Sequence, residues 1–296
     1  MVWTSAAQCG EYLASQAVAA LLEEARLTPK PGLVDEESTG AHEDLNIDLM
    51  IRSATALEGT FAEIGFTACR RNPGQLLREE IAEIGRKGEK IMLEATGGSN
   101  THKGAIWAIG LLTAAAAMHE PGASPLEIAS TAGKLACYPD RYAPRQSSNG
   151  SRVQRRYGVA GARGEAQQGF PHVIRIALPT LYRARQRGVS EPQARLDALV
   201  ALIANLDDTC LLHRGGMEAL LAAKEKANMI LATGGVSTRI GWKLLRALDE
   251  ELLARNASPG GSADLLAAAL FLDRLHAGSG GGPVVPTRKE AYARQV

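Results

Sequence analysis

The chain has 296 residues, 45% of them hydrophobic and 22% charged, which supplies enough apolar surface for one large domain or two small ones. Lys plus Arg number 33 against 32 Asp plus Glu, a net charge of +1, so the basic excess of a general nucleic-acid binder is missing. Four scattered cysteines, Cys9, Cys69, Cys137 and Cys210, form no CxxC pair, which argues against a zinc or redox motif and for a reduced, cytoplasmic setting.

The N-terminus has no basic segment followed by an apolar core, so no signal peptide is expected. The first helical pattern runs over 11–26. In 46–64, Ile47, Met50, Ile51, Ala54, Leu57, Phe61 and Ile64 recur at helical spacing and mark one buried face. Similar patterns cover 75–95, 103–118, 125–137, 165–186, 193–206, 214–231, 237–255 and 262–276. The longest apolar run, 105–118, falls short of the ~20 residues a membrane span needs, so a soluble protein is expected. No run alternates β-branched residues around hairpin turns. The expectation is an all-α fold: a single domain over 1–276 with about ten helices, followed by a flexible tail over 277–296. Two long polar loops, 28–45 and 138–164, interrupt it. The second carries arginines at 141, 145, 152, 155, 156 and 163 against one acid before Glu165, Asp140. Loops of this length in a compact domain are functional or disordered.

Five glycine-marked stretches carry charge. In PKPGLVD (29–35) and the following GAHED (40–44), Asp35, His42, Glu43 and Asp44 could hold Mg²⁺ or pass a proton, or could form an acidic surface loop. In TGGSNTHKG (96–104), the glycines end one helix, and Ser99, Asn100 or Thr101 caps the next. That helix start, with Lys103 and His102, suits a phosphate equally with a well-capped turn. YGVAGARGEA (157–166) sets Arg163 among glycines, with Glu165 in a first helical turn. Asp207 and Asp208 lie at the wrong pole of a helix unless a cation, such as a divalent metal or Arg214, or a following helix start compensates. In SPGGSAD (258–264), Ser262 reads as an N-cap, and Gly260 and Gly261 allow close approach to a ligand. The segments 91–101 and 229–238 echo one another, and two helices ending alike on glycine explain the echo. More such starts than connecting turns require suggest helix ends pooled around a highly charged ligand.

Together these motifs resemble the triphosphoribosyl-dephospho-coenzyme A synthase family. PKPGLVD (29–35), GAH-x-D (40–44), TGG-x-NTHKGA (96–105), YG-x-x-GARGEA-x-x-GFP (157–171), D-T-x-x-x-x-RGG (208–216) and SPGGSADLLA (258–267) occur in the family's order. Ser99 stands where the family often has Val, and Glu43 and Leu45 vary the loop after His42. DDTCLLHRGG is similar to the malonate decarboxylase branch more than to the citrate lyase branch. The resemblance implies an all-α enzyme whose substrates are ATP and 3′-dephospho-coenzyme A. The ribose 2′-hydroxyl of the acceptor attacks C1 of the ATP ribose, adenine leaves and the triphosphate is kept. The product is the prosthetic-group precursor of an acyl carrier subunit, to be passed to a prosthetic-group transferase.

The resemblance also implies roles. Lys30, Lys103, Arg163 and Arg214 would hold phosphates, with Gly98, Thr101, Gly260, Gly261 and Ser262 lining the site. Asp35, Asp44, Asp207, Asp208 and Asp264 would offer Mg²⁺ ligands. Glu165 or Asp208 would be the general base, His102 or His42 would assist adenine departure or orient a phosphate, and Asn100 and Asp264 would orient a ribose or a metal ligand. Neither nucleic acid nor membrane is an expected partner, and homo-oligomerisation stays open. Two rivals are an N-ribosyl hydrolase using water as acceptor and a helical adaptor whose Arg-rich 141–163 segment binds an acidic partner.

Overall fold

The computed structural model describes residues 3–144 and 148–277. The tail expected to be flexible lies, beyond residue 277, outside the described residues. Among the described residues the chain forms thirteen α-helices and a short π-helical segment, with no strand. The helices are α1 (Ala6–Ala25), α2 (Ile47–Ala56), α3 (Glu58–Ala68), α4 (Gln75–Ala95), α5 (Lys103–Met118), α6 (Pro125–Cys137), α7 (Asn149–Tyr157), α8 (Gly161–Gln167), α9 (Leu178–Gln186), α10 (Glu191–Asn205), α11 (Thr209–Ala232), α12 (Arg239–Ala254) and α13 (Gly260–Ala277). The π segment, Val173–Ala177, leads into α9.

Two helices form the axis of the packing. Lys103 is the only charged residue of α5, and nearly every residue after it is buried, as a helix that is apolar on all sides requires. The second is α13, which buries Leu265 through Asp273 against α1, α5, α10 and α11. α1 crosses α3 where Gly10 meets Gly65; a Cβ on Gly65 would lie 2.9 Å from Gly10 Cα. One apolar core runs through these elements, and a small satellite of Ala25, Val34, Leu45 and Met50 seals the 26–46 loop.

The structure departs from the periodicity at four places. The 46–64 pattern is two helices meeting at Leu57, which is fully buried. The 138–164 stretch is not one loop, because Ser148 caps α7 through the Ser151 amide and Gly158 ends it in a left-handed conformation. The 165–186 pattern breaks after α8: Phe170, buried with φ of 55°, turns the chain so that its amide donates to the Glu165 carbonyl at 2.9 Å. α11 begins at Thr209 rather than 214 and kinks at Gly216.

Candidate active site

The 26–46 loop is interior in its first part and an acidic surface loop in its second, where Glu36, Glu37, Glu43 and Asp44 are exposed. Residues 29 to 35 are all buried. At its centre the Lys30 ammonium, 2% exposed, donates to the Glu24 carboxylate at 2.5 Å and to the Glu24 carbonyl at 2.7 Å. Lys30 was expected to hold phosphate; burial forces it to keep a carboxylate partner instead. Asp35 was expected to bind metal, yet its two oxygens accept the amides of Lys30 (2.7 Å), Glu37 (2.8 Å) and Ser38 (2.9 Å), which folds the loop on itself.

Three long helices start close together here. Asp208 caps α11 through the Cys210 amide at 2.8 Å and also accepts the amide and hydroxyl of Ser262 in α13 at 2.7 and 2.9 Å. It is 1% exposed, and burial pushes its pKa up against the pull of these donors. With both oxygens accepting hydrogen bonds it joins the starts of α11 and α13. Gly260 and Gly261 admit Cys210 and Asp208 at close range, so the approach they allow is to the chain's own side chains. Ser262 sits inside α13 rather than capping it.

The third start, that of α5, faces Asp264. A Cβ on Gly104 would lie 1.9 Å from Asp264 Oδ2, and the Ala105 amide donates to this carboxyl. As a residue Asp264 is half-buried. Burial first, then the carboxylates of Glu24 and Asp208, raises its pKa well above the usual carboxylate range.

His102 precedes α5 and is 2% exposed. Thr101 donates to Ser53 Oγ at 2.6 Å, and Ser53 Oγ lies 2.8 Å from His102 Nδ1. The other ring nitrogen, Nε2, is a buried atom with no hydrogen-bond partner. Burial and the Lys30 charge lower the His102 pKa to about 3. His42 is neutral as well. Its Nδ1 faces the Arg214 guanidinium at 3.0 Å, which can only donate, so Nε2 carries the proton and donates to Ser258 Oγ at 3.0 Å. Burial, then Arg214, lowers its pKa to about 4. Neither histidine is an imidazolium near neutral pH, so the expected help from His102 or His42 in adenine departure reduces to neutral hydrogen bonding.

The remaining expected residues are dispersed. Arg214 bonds Ala41 O, Asn256 Oδ1 and His42, tying two loops together rather than offering a free phosphate fork. Lys103 pairs with Glu89 at 2.7 Å on the surface, and Asn100 Oδ1 accepts the Lys103 amide at 3.2 Å. Gly98, with φ of 104°, has open space where a Cβ would be. Asp207 pairs with Lys224 at 2.5 Å, and Asp44 is exposed 3.9 Å from His42 Nδ1. Glu165 is buried and accepts the amide of His172 at 2.8 Å and its Nδ1 at 2.7 Å, so this expected base is already engaged. Its hydrogen bond raises the His172 pKa. The five acids expected to hold Mg²⁺ therefore do not converge. Among the described residues no group of three or more His, Cys, Asp or Glu is arranged to hold a metal ion.

Two residues of this region were not singled out from the sequence. Glu24 continues the buried face of Leu13, Ala17 and Leu21 on α1, and an acid on an apolar face near a helix C-terminus was a readable signal. His172 left no signal, because only the turn at Phe170 returns it to Glu165.

This is an all-α protein in which three helix starts lie beside a carboxyl of raised pKa, a buried ion pair and an imidazole of lowered pKa, an arrangement suited to a group-transfer enzyme. Residues 10–282 match the CitG family model, ATP:dephospho-CoA triphosphoribosyl transferase. The chain is 53% identical over 264 residues to the 2-(5''-triphosphoribosyl)-3'-dephosphocoenzyme-A synthase of Klebsiella pneumoniae, covering 89% of this chain and 94% of that one. A Pseudomonas paraeruginosa (strain DSM 24068 / PA7) chain, given that name with the qualifier probable, is 51% identical over 279 residues and is covered to 95%, against 94% of this chain. A crystal structure from Archaeoglobus fulgidus, provisionally named triphosphoribosyl-dephospho-coA synthase, shares the fold with a TM-score of 0.50 and 17% identity, over 75% of this chain and 98% of that one. The chain belongs to the ATP:dephospho-CoA triphosphoribosyl transferase family and is a transferase.

Proposed function

We propose that Asp264 and Glu24 divide the proton chemistry of triphosphoribosyl transfer from ATP to the ribose 2′-hydroxyl of 3′-dephospho-coenzyme A. The observation that carries this reading is a pair of buried carboxyls in unlike surroundings: Asp264 lies against the start of α5, where burial raises its pKa, and Glu24 lies 2.5 Å from the Lys30 ammonium. The C1–nitrogen bond to adenine breaks with charge building on the ribose, as in other glycosyl transfers. Asp264 gives its proton to the departing adenine. The Glu24 carboxylate stabilises the cationic ribose and takes the proton of the 2′-hydroxyl as the new C1–oxygen bond forms. Nε2 of His102 hydrogen-bonds to the substrate, which would supply the partner it lacks. Mg²⁺, implied by the resemblance, would enter with the triphosphate of ATP rather than rest in a resident carboxylate site.

The sequence DDTCLLHRGG (207–216) supports the malonate decarboxylase acyl carrier as the destination of the product, with citrate lyase as the alternative. No described helix is long and apolar enough to cross a membrane, which agrees with a cytoplasmic site of action. The test is to incubate the protein with ATP, Mg²⁺ and 3′-dephospho-coenzyme A and follow adenine and product mass. Adenine release that requires the acceptor is expected. Release without the acceptor would indicate an N-ribosyl hydrolase, and no release would favour a binding protein. Offering the product to the prosthetic-group transferases of the two carrier systems distinguishes the pathways.

A further inference from the structure

Beyond Lys103, α5 is buried except along one stripe. Gly104 and Trp107 are its partly accessible positions before Met118. They lie three residues apart on one face. Gly104 touches Asp264, while the ring of Trp107 carries the guanidinium of Arg78, from α4, at 5.1 Å from its centroid.

Arg78 is 6% exposed, and its Nε is buried with no hydrogen-bond partner. Its surroundings are cationic. Arg86 and Arg163 both act on it, and the two nearby acids are already taken: Asp140 by Arg86 at 2.5 Å, and Glu79 by Arg141 at 2.5 Å. The cluster thus holds two more guanidiniums than carboxylates. Arg163 is exposed and makes no ion pair among the described residues. Its position is set by Trp107, whose indole N–H donates to the Ala162 carbonyl at 3.1 Å. A buried, unpaired guanidinium donor beside a second, unpaired guanidinium lacks an anion that can bridge both.

We propose that Arg78 and Arg163, seated on and beside Trp107, form a subsite for the polyphosphate chain of a nucleotide substrate, one turn along α5 from Asp264. The proposal rests on the transferase reading above for the identity of the substrates. Either the triphosphate of ATP or the diphosphate of 3′-dephospho-coenzyme A has the required chemistry. Trp107 gives a readout that does not depend on turnover.

In the full chain carrying Trp3→Phe and Trp242→Phe, titration with inorganic tripolyphosphate should change Trp107 fluorescence saturably. Arg163→Ala, at an exposed position, should weaken that binding about 10- to 100-fold, the range of charge-assisted hydrogen bonds. Arg78→Lys should weaken it as well, since an ammonium does not reproduce the fork. Steady-state kinetics of Arg163→Ala then identify the source: a raised KM for ATP alone assigns the triphosphate, and a raised KM for the acceptor alone assigns the diphosphate. No saturable change in the Trp107-only protein, or equal binding by Arg163→Ala, would overturn the subsite. Absence of turnover with retained tripolyphosphate binding would instead overturn the transferase chemistry and leave the subsite standing.

Discussion

Two turns of nearly the same sequence end differently. TGGSNTH (96–102) joins α4 to α5, and TGGVST (233–238) joins α11 to α12. Each ends a helix on two left-handed glycines, with the amide of Gly98 or Gly235 donating to a carbonyl five residues back. Each also lies beside a buried acid whose pKa is raised by burial. At the second turn, Asp197 accepts the Val236 amide at 2.7 Å, packs against Gly235 and pairs with Arg187 at 3.5 Å. Every contact there fastens the turn. At the first turn the glycines face open space, and His102 Nε2 is buried without a partner. A glycine-marked helix start therefore reports a need for a turn. What it faces decides whether it also serves chemistry.

The largest expected difference between the turns is in activity. Asp264→Asn reproduces the shape of the protonated carboxyl but cannot give up a proton, so kcat should fall about 10²- to 10⁴-fold with the fold retained. The folded-state pKa of Asp264 is raised, so its contribution to stability is present at low pH and lost as pH rises through that value. Asp264→Asn should flatten this loss in denaturant titrations taken at rising pH. Wild-type turnover by the Asn variant would remove Asp264 from the proton chemistry.

At the other turn the effect should be on stability alone. Asp197→Ala strips the Val236 amide of its acceptor and should cost about 1–3 kcal/mol, with kcat unchanged in the protein that remains folded. Gly235→Ala combines a left-handed φ of 90° with a Cβ only 2.5 Å from Asp197, so it should lower the midpoint of unfolding more than Gly98→Ala, which meets only the backbone cost of about 1–2 kcal/mol. Equal midpoints for the two alanine variants would erase the distinction between the turns.

A finer distinction lies in the acid limb. His102 has a folded-state pKa of about 3 against an ordinary 6.5, so the unfolded chain takes up a proton first and stability falls as pH drops from 6.5 toward 3. His102→Asn should remove about 1.4 kcal/mol per pH unit from that slope. The smallest effect belongs to Lys103→Ala. Its pair with Glu89 is half exposed, so stability should change by less than about 1 kcal/mol in thermal melts. A large rise in KM for ATP in that variant would restore Lys103 to phosphate binding.

The sequence by itself determined the all-α class, the buried character of α5, the glycine ends of α4 and α11, and the family. Each of these is written locally, in periodicity, capping residues or ordered motifs, and short-range physics is enough to read it. It also named Asp264, His102 and Arg163, the last as a phosphate-binding residue. Tertiary structure decided that Lys30 belongs to Glu24, that Asp208 joins two helix starts, that Arg214 holds a histidine, and that Arg78 lies over Trp107. Those assignments depend on burial and on partners from α1, α4, α11 and α13. A charged side chain drawn as a ligand group in one dimension is, once buried, first claimed by the nearest opposite charge or amide.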